Sequence, residues 1–129
     1  MLFHVFDSQE KRKEYGGSAF IELQFCRLPA GASLKDIVAI DAIHHWQNDS
    51  LYADDDDTFY REYSRIFDCG TYNDLKSGVV DICGNNYYAP ESIDPIIGKI
   101  RNEKPLEYEV LANWLYDAKE YNGFYILGI

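Results

Sequence analysis

Four consecutive carboxylates, Asp54-Asp55-Asp56-Asp57, and the group Asp41, His44 and His45 are the stretches of this sequence whose residue types could do chemistry. Closely spaced carboxylates bind divalent cations or receive lysine and arginine; an aspartate one helical turn from a histidine can share a metal or a proton with it. A calcium loop starting at Asp54 requires glycine at its sixth position and glutamate at its twelfth, where the chain has Phe59 and Arg65, so the pattern fails. Asp41 lies a turn from both histidines, but neighbouring helical residues point about 100° apart, so the two rings do not share one ligand. No nearby cysteine completes a zinc set, and an ordinary ion pair or hydrogen bond is expected there. Cys26, Cys69 and Cys83 cannot all pair, show no C-x-x-C spacing and sit in no Cys-His hydrolase signature. They read as small, buried or half-buried apolar residues. Gly84-Asn85-Asn86 lacks the phosphate-loop pattern, and no dinucleotide fingerprint is present. No catalytic motif, metal or cofactor is therefore expected.

The aspartate run leads directly into an amphipathic pattern. Phe59, Tyr63, Ile66 and Phe67 fall at i, i+4, i+7 and i+8 and share one helical face, with Arg61, Glu62 and Arg65 pointing away. Cys69-Gly70 supplies a stop. Aspartates before Thr58 sit at the positive end of the helix dipole, so part of the run has a structural purpose; four exceed what a cap needs. Tyrosine is abundant too, at eleven residues, many within acidic stretches. Tyrosine among carboxylates makes a binding face, because the ring contributes buried area with little entropy loss while the carboxylates receive lysine and arginine. The residues expected to form it are Asp49, Tyr52, Asp54, Asp55, Asp56, Asp57, Tyr60 and Glu62. The competing account is that the tyrosine rings pack at the core rim and expose their hydroxyls.

Charge placement narrows the class of partner. The net charge is −10, and residues 1–40 are balanced, so the whole excess lies in residues 41–129 with seven basic against seventeen acidic side chains. Such a field repels nucleic acid and anionic membranes and speeds association with basic proteins. Lys11-Arg12-Lys13 is neutralised locally by Glu10 and Glu14. In size and charge balance the chain is similar to immunity proteins of nuclease toxins and to phage inhibitors that mimic nucleic acid; this likeness is one of general type and rests on no particular residue. It implies a small acidic inhibitor of a basic protein. Two other classes fit the composition: a metal-dependent or Cys/His enzyme using Asp41, His44 and His45, and a structural subunit whose acidity keeps it soluble. No run of about 18 apolar residues is present and Met1–Phe6 lacks the features of a signal peptide, so the cytoplasm is the expected address.

The elements that must position these residues follow from periodicity and turn chemistry. With 129 residues, 47% of them hydrophobic, the chain suits a single domain over residues 1–129. Strands are expected at 2–6 and 19–26, joined by a polar loop over 7–18, and a helix from the Ser33 cap to about Trp46, within which Ile37-Val38-Ala39-Ile40 reads equally as a buried strand. A loop over 47–53 delivers the chain into the helix that ends near Phe67. Residues 71–77 read as loop, 78–83 as a strand, 84–86 as a turn and 87–89 as a returning strand. A helix starts at Asp94-Pro95 and stops near Asn102; the last helix opens at Pro105, with Leu106, Val110, Leu111, Trp114, Leu115 and Ala118 on its inner side. The apolar run 124–129 closes the chain as a strand. The order predicts an α+β fold: a mixed or mainly antiparallel sheet, about four helices on one face, and the C-terminal strand central because both of its alternating sets are apolar.

Overall fold

Strands whose two alternating sets are both apolar need cover on both faces, and the sheet is arranged around them. In the computed structural model, which describes residues 1–17 and 19–128, seven strands make one antiparallel sheet: β1 (Phe3–His4), β2 (Ile21–Phe25), β3 (Leu51–Ala53), β4 (Gly70–Thr71), β5 (Ser77–Gly78), β6 (Asn85–Tyr88) and β7 (Phe124–Gly128). Their order, β1-β3-β2-β7-β6-β4-β5, puts the C-terminal strand in the middle. β7 pairs with β2, Ile126 opposite Leu23 and Phe124 opposite Phe25, and with β6 on its other side.

Five helices accompany the sheet: α1 (Gln9–Tyr15), α2 (Leu34–Ile37), α3 (Asp56–Tyr63), α4 (Ile93–Glu103) and α5 (Tyr108–Ala118). Three of them, α3 to α5, cover one face. There Ile21, Leu23, Phe25, Phe124 and Ile126 meet Phe59, Tyr63, Ile93, Ile96, Ile100, Leu111 and Leu115 in one continuous core. Trp114 stacks on Phe25 with ring centroids 4.3 Å apart and meets Phe124 edge-on. The opposite face takes the other alternating set. Tyr125 and Leu127 pack with Cys26, Ile37, Val38 and Ile43, while Tyr52 joins Phe6, Phe20 and Trp46 in a separate aromatic cluster. The fold is α+β as expected, with every strand pair antiparallel. Helical cover extends to the second face through α2, whose Ile37 is in that core, and α1, whose Arg12 stacks on Trp46.

Several local expectations are corrected. The expected helix from Ser33 to Trp46 stops at Ile37, followed by a short 3-10 helix, Ile40–Ala42. Its carbonyls are drawn into tertiary bonds: the Tyr125 hydroxyl donates to Ile37 O at 2.7 Å and the Asn73 amide to Val38 O. The expected loop over 7–18 contains α1, capped by Ser8 Oγ accepting from Lys11 N at 3.2 Å; α1 buries no residue, which is why it shows no apolar period. Residues 51–53 of the next expected loop form β3, and β4 and β5 form a short hairpin where loop was expected. The strand expected at 78–83 shrinks to Gly78, and Asn85 and Asn86 belong to β6. Asn86 is buried, its side chain bridging Asp81 and Ile126 O, an anchor that replaces the expected turn. α5 begins at Tyr108, after a left-handed Glu107, and Leu106 and Val110 are exposed whereas Leu111, Trp114, Leu115 and Ala118 are buried. Ser18 and Ile129, the ends of the expected loop and of the expected last strand, lie outside the described residues.

Candidate functional site

The four aspartates divide into three roles. Asp54, at the end of β3, accepts from the Tyr15 hydroxyl and lies 3.1 Å from His4 Nε2, joining α1, β1 and β3 at one point. Asp55 is the N-cap of α3, its carboxylate accepting from Thr58 N at 3.0 Å and from Thr58 Oγ1 at 2.8 Å. Those two bonds hold its carboxyl below the usual carboxylate range. Asp56 accepts only from the neighbouring Asp57 N, and neither side chain makes an ion pair among the described residues. Both are exposed on the first turn of α3, and Tyr60 stands exposed one turn further on.

The other expected site residues separate from this group. Glu62 accepts from Leu106 N at 2.8 Å, tying α3 to the start of α5. Asp49 lies just before β3, ion-paired with Arg27, while its backbone carbonyl accepts from Trp114 Nε1 at 3.0 Å. Tyr52 is a correction. It is only 1% exposed, its hydroxyl donates to Gln47 O at 2.6 Å, and its place is inside the aromatic cluster of the second face. Burial, with the nearby Glu22 carboxylate, pushes its phenol well up from the usual value. Tyr63, Tyr87 and Tyr88 are buried as well. The acidic, tyrosine-bearing face therefore contracts to Asp56, Asp57 and Tyr60, with Asp55 fixed beside them as the cap.

A second constellation was not legible in the sequence. Glu22, in β2, is fully buried and its carboxylate accepts from Trp46 N at 2.8 Å, Gln47 N at 3.0 Å, Ser50 Oγ at 2.6 Å, Tyr52 OH at 3.3 Å and Gln24 Nε2 at 3.1 Å. It pins residues 43–50 onto the second face. Trp46 sits there in the left-handed region, φ 67°, a conformation costly for a bulky residue and sustained only when its surroundings over-determine it. A buried carboxylate on which several donors converge rigidifies what it holds. The one hint in the sequence was Glu22 and Gln24 alternating with Ile21, Leu23 and Phe25, but such alternation normally reads as an outward polar edge. Beside this loop an open cleft of about 350 Å³ is lined by Gln24, Phe25, Arg27, Leu28, Asp41, Ala42, His44, Gln47 and Tyr125.

The remaining candidates are dispersed. Asp41 and His44 both border that cleft, and His45 turns the other way, its Nδ1 3.9 Å from Glu22 Oε1. Among the described residues no three His, Cys, Asp or Glu side chains gather in a metal-binding group. Cys26 is buried, donating to the Tyr125 hydroxyl, whereas Cys69 and Cys83 are exposed, against the expectation of burial. Burial of its sulfur nonetheless pushes the Cys69 thiol up, away from reactivity. No helix among the described residues is long and apolar enough to cross a membrane. Comparison of the chain with protein-family models, with curated proteins and with solved structures finds no match.

Proposed function

We propose that the protein is a small cytoplasmic binding protein that inhibits or neutralises a basic protein partner, engaging it through the first turn of α3. The observation that carries this reading is the division of labour along the aspartate run. Asp54 and Asp55 have internal roles, whereas Asp56 and Asp57, on the first turn of α3, face solvent beside an exposed tyrosine and make no ion pair among the described residues. Two unpaired aspartates in sequence at a surface repel each other, and a partner's lysine or arginine relieves that repulsion. The net charge of −10 favours fast encounter with a positive surface, such as the cleft of a nucleic-acid-binding protein.

The test isolates a stoichiometric basic partner from the source cell and measures its association rate with wild type and with the Asp56→Asn/Asp57→Asn double variant. The variant should associate more slowly at low salt. The difference should narrow near physiological ionic strength, where the Debye length is about 8 Å. Absence of such a partner, or a rate equal to wild type and indifferent to salt, would sink the reading.

A further inference from the structure

We infer that the cleft between β2 and the Ile40–Ala42 turn is a receptor for an arginine side chain of a partner protein. Gln24, only 5% exposed, lines the cleft. Its Nε2 donates to Glu22 Oε2 at 3.1 Å and to His44 O at 2.7 Å. Both partners are acceptors only. Turning the amide over would set its oxygen against a carboxylate and a carbonyl, so the orientation is fixed by the surroundings. The side-chain carbonyl accepts from no described residue, and it is not among the buried atoms sealed off without a partner, which are Arg12 Nε and Tyr88 OH. An almost wholly buried amide thus keeps a free acceptor open to solvent where it borders the cleft.

The rest of the lining defines what that acceptor would meet. Asp41 brings an exposed carboxylate that makes no ion pair among the described residues. Arg27, the one basic side chain besides His44, is already paired with Asp49 and lies over the Tyr121 ring at 5.4 Å. With Glu22 behind Gln24, the local balance is negative. Leu28 and Ala42 provide apolar wall. A ligand complementary to this is a planar cation with several N–H donors on an apolar stem: a donor fork can address a carboxylate and an amide oxygen together, which a point-charge ammonium does less well. The Glu22-pinned loop forms the cleft wall in advance, so no ordering is needed when the ligand enters. This site is separate from the first turn of α3 and stands or falls independently of it.

The probe is N-acetyl-arginine methylamide, titrated into the isotopically labelled protein and followed by nuclear magnetic resonance, with the citrulline analogue as the uncharged isostere. Saturable shifts centred on the Gln24 side-chain amide, Leu28 and Ala42 are expected, with the citrulline probe at least about tenfold weaker. Asp41→Asn, an exposed substitution, should weaken arginine binding about tenfold while Asp57→Asn leaves it unchanged. Three outcomes would overturn the inference: no shifts in the cleft at millimolar probe, equal binding of the two probes, or shifts confined to α3 and abolished by Asp57→Asn.

Discussion

The two faces of the sheet are built by different means. On one, amphipathic helices α3 to α5 lay apolar stripes on alternate strand residues, and nearly all of the contact is side-chain hydrocarbon. On the other, short helices and an irregular loop cover a floor that contains Glu22, Gln24 and tyrosine hydroxyls, held by directional bonds. Dispersion and hydrophobic burial are spread over many atoms and tolerate small shifts, whereas a buried carboxylate concentrates the cohesion of a whole segment on one residue. The first face should fail globally when it fails, the second locally.

Substitution at the centre of each face tests that contrast. Trp114→Ala removes a ring stacked on Phe25 and should cost about 3–5 kcal/mol, seen as a large fall in the melting midpoint with all probes moving together. An unchanged midpoint would take α5 out of the core. Glu22→Ala should cost less, about 1–3 kcal/mol, because the abandoned donors of Trp46, Gln47 and Ser50 lie in a loop that water can reach once it opens. Amide exchange should accelerate at Trp46 and Gln47 while α4 and α5 keep their protection; uniform acceleration would erase the distinction between the faces.

Alkali sharpens the comparison. Burial raises the phenols of Tyr52, Tyr63, Tyr87 and Tyr125 above their ordinary value, and Tyr88 likewise. A raised folded-state value means that the stability they contribute is complete below the unfolded value of about 10 and is lost as pH rises past it. Phenolate absorbance should therefore develop in two stages, exposed tyrosines first and these five only with unfolding. In Glu22→Ala, Tyr52 should move toward the first stage, since the carboxylate that opposes its ionisation is gone. A single smooth titration would contradict their burial.

Effects on the aspartate run are smaller. Asp55→Ala removes the α3 cap and should lower the melting midpoint by a few degrees at neutral pH, with Asp55→Asn recovering most of the loss because asparagine caps as well. The lowered carboxyl value of Asp55 fixes the sign of the pH dependence: its contribution is present above the ordinary carboxylate range and disappears as pH falls through the lowered one, so wild type and Asp55→Ala should converge in acid. A gap that widens on acidification would deny Asp55 the capping role.

How much of this was legible in the sequence differs between the two faces. Phe59, Tyr63, Ile66 and Phe67 announced their shared buried side through spacing alone, and all four are fully buried, although α3 ends at Tyr63 rather than near Phe67 and the last two come after it. The central place of β7 followed from its unbroken apolar run. Both are consequences of period and hydrophobicity, which are properties of neighbouring residues. Tyr52 looked identical to Tyr60 in the sequence, each beside aspartates, yet one is inside and the other outside. What separates them is that residues 51–53 pair with β1 and β2, contacts set by residues far along the chain. Asp54 to Asp57 likewise read as one acidic run; Asp55 caps through the nearby Thr58, whereas only the approach of Tyr15 and His4 makes Asp54 an anchor.

Local period and composition carried the α+β class, the buried set Phe59, Tyr63, Ile66 and Phe67, and the acidic excess. Only long-range contacts put Glu22 inside, end the α-helix at Ile37 with just the 3-10 turn Ile40–Ala42 after it, and bring Gln24, Asp41 and His44 to one cleft. The physical reason is the same in each case. A hydrogen bond between Glu22 and Trp46, or between Tyr125 and Ile37, joins groups whose separation along the chain leaves no trace in local pattern, yet once the sheet brings them together it outweighs the helical preference of the segment it captures.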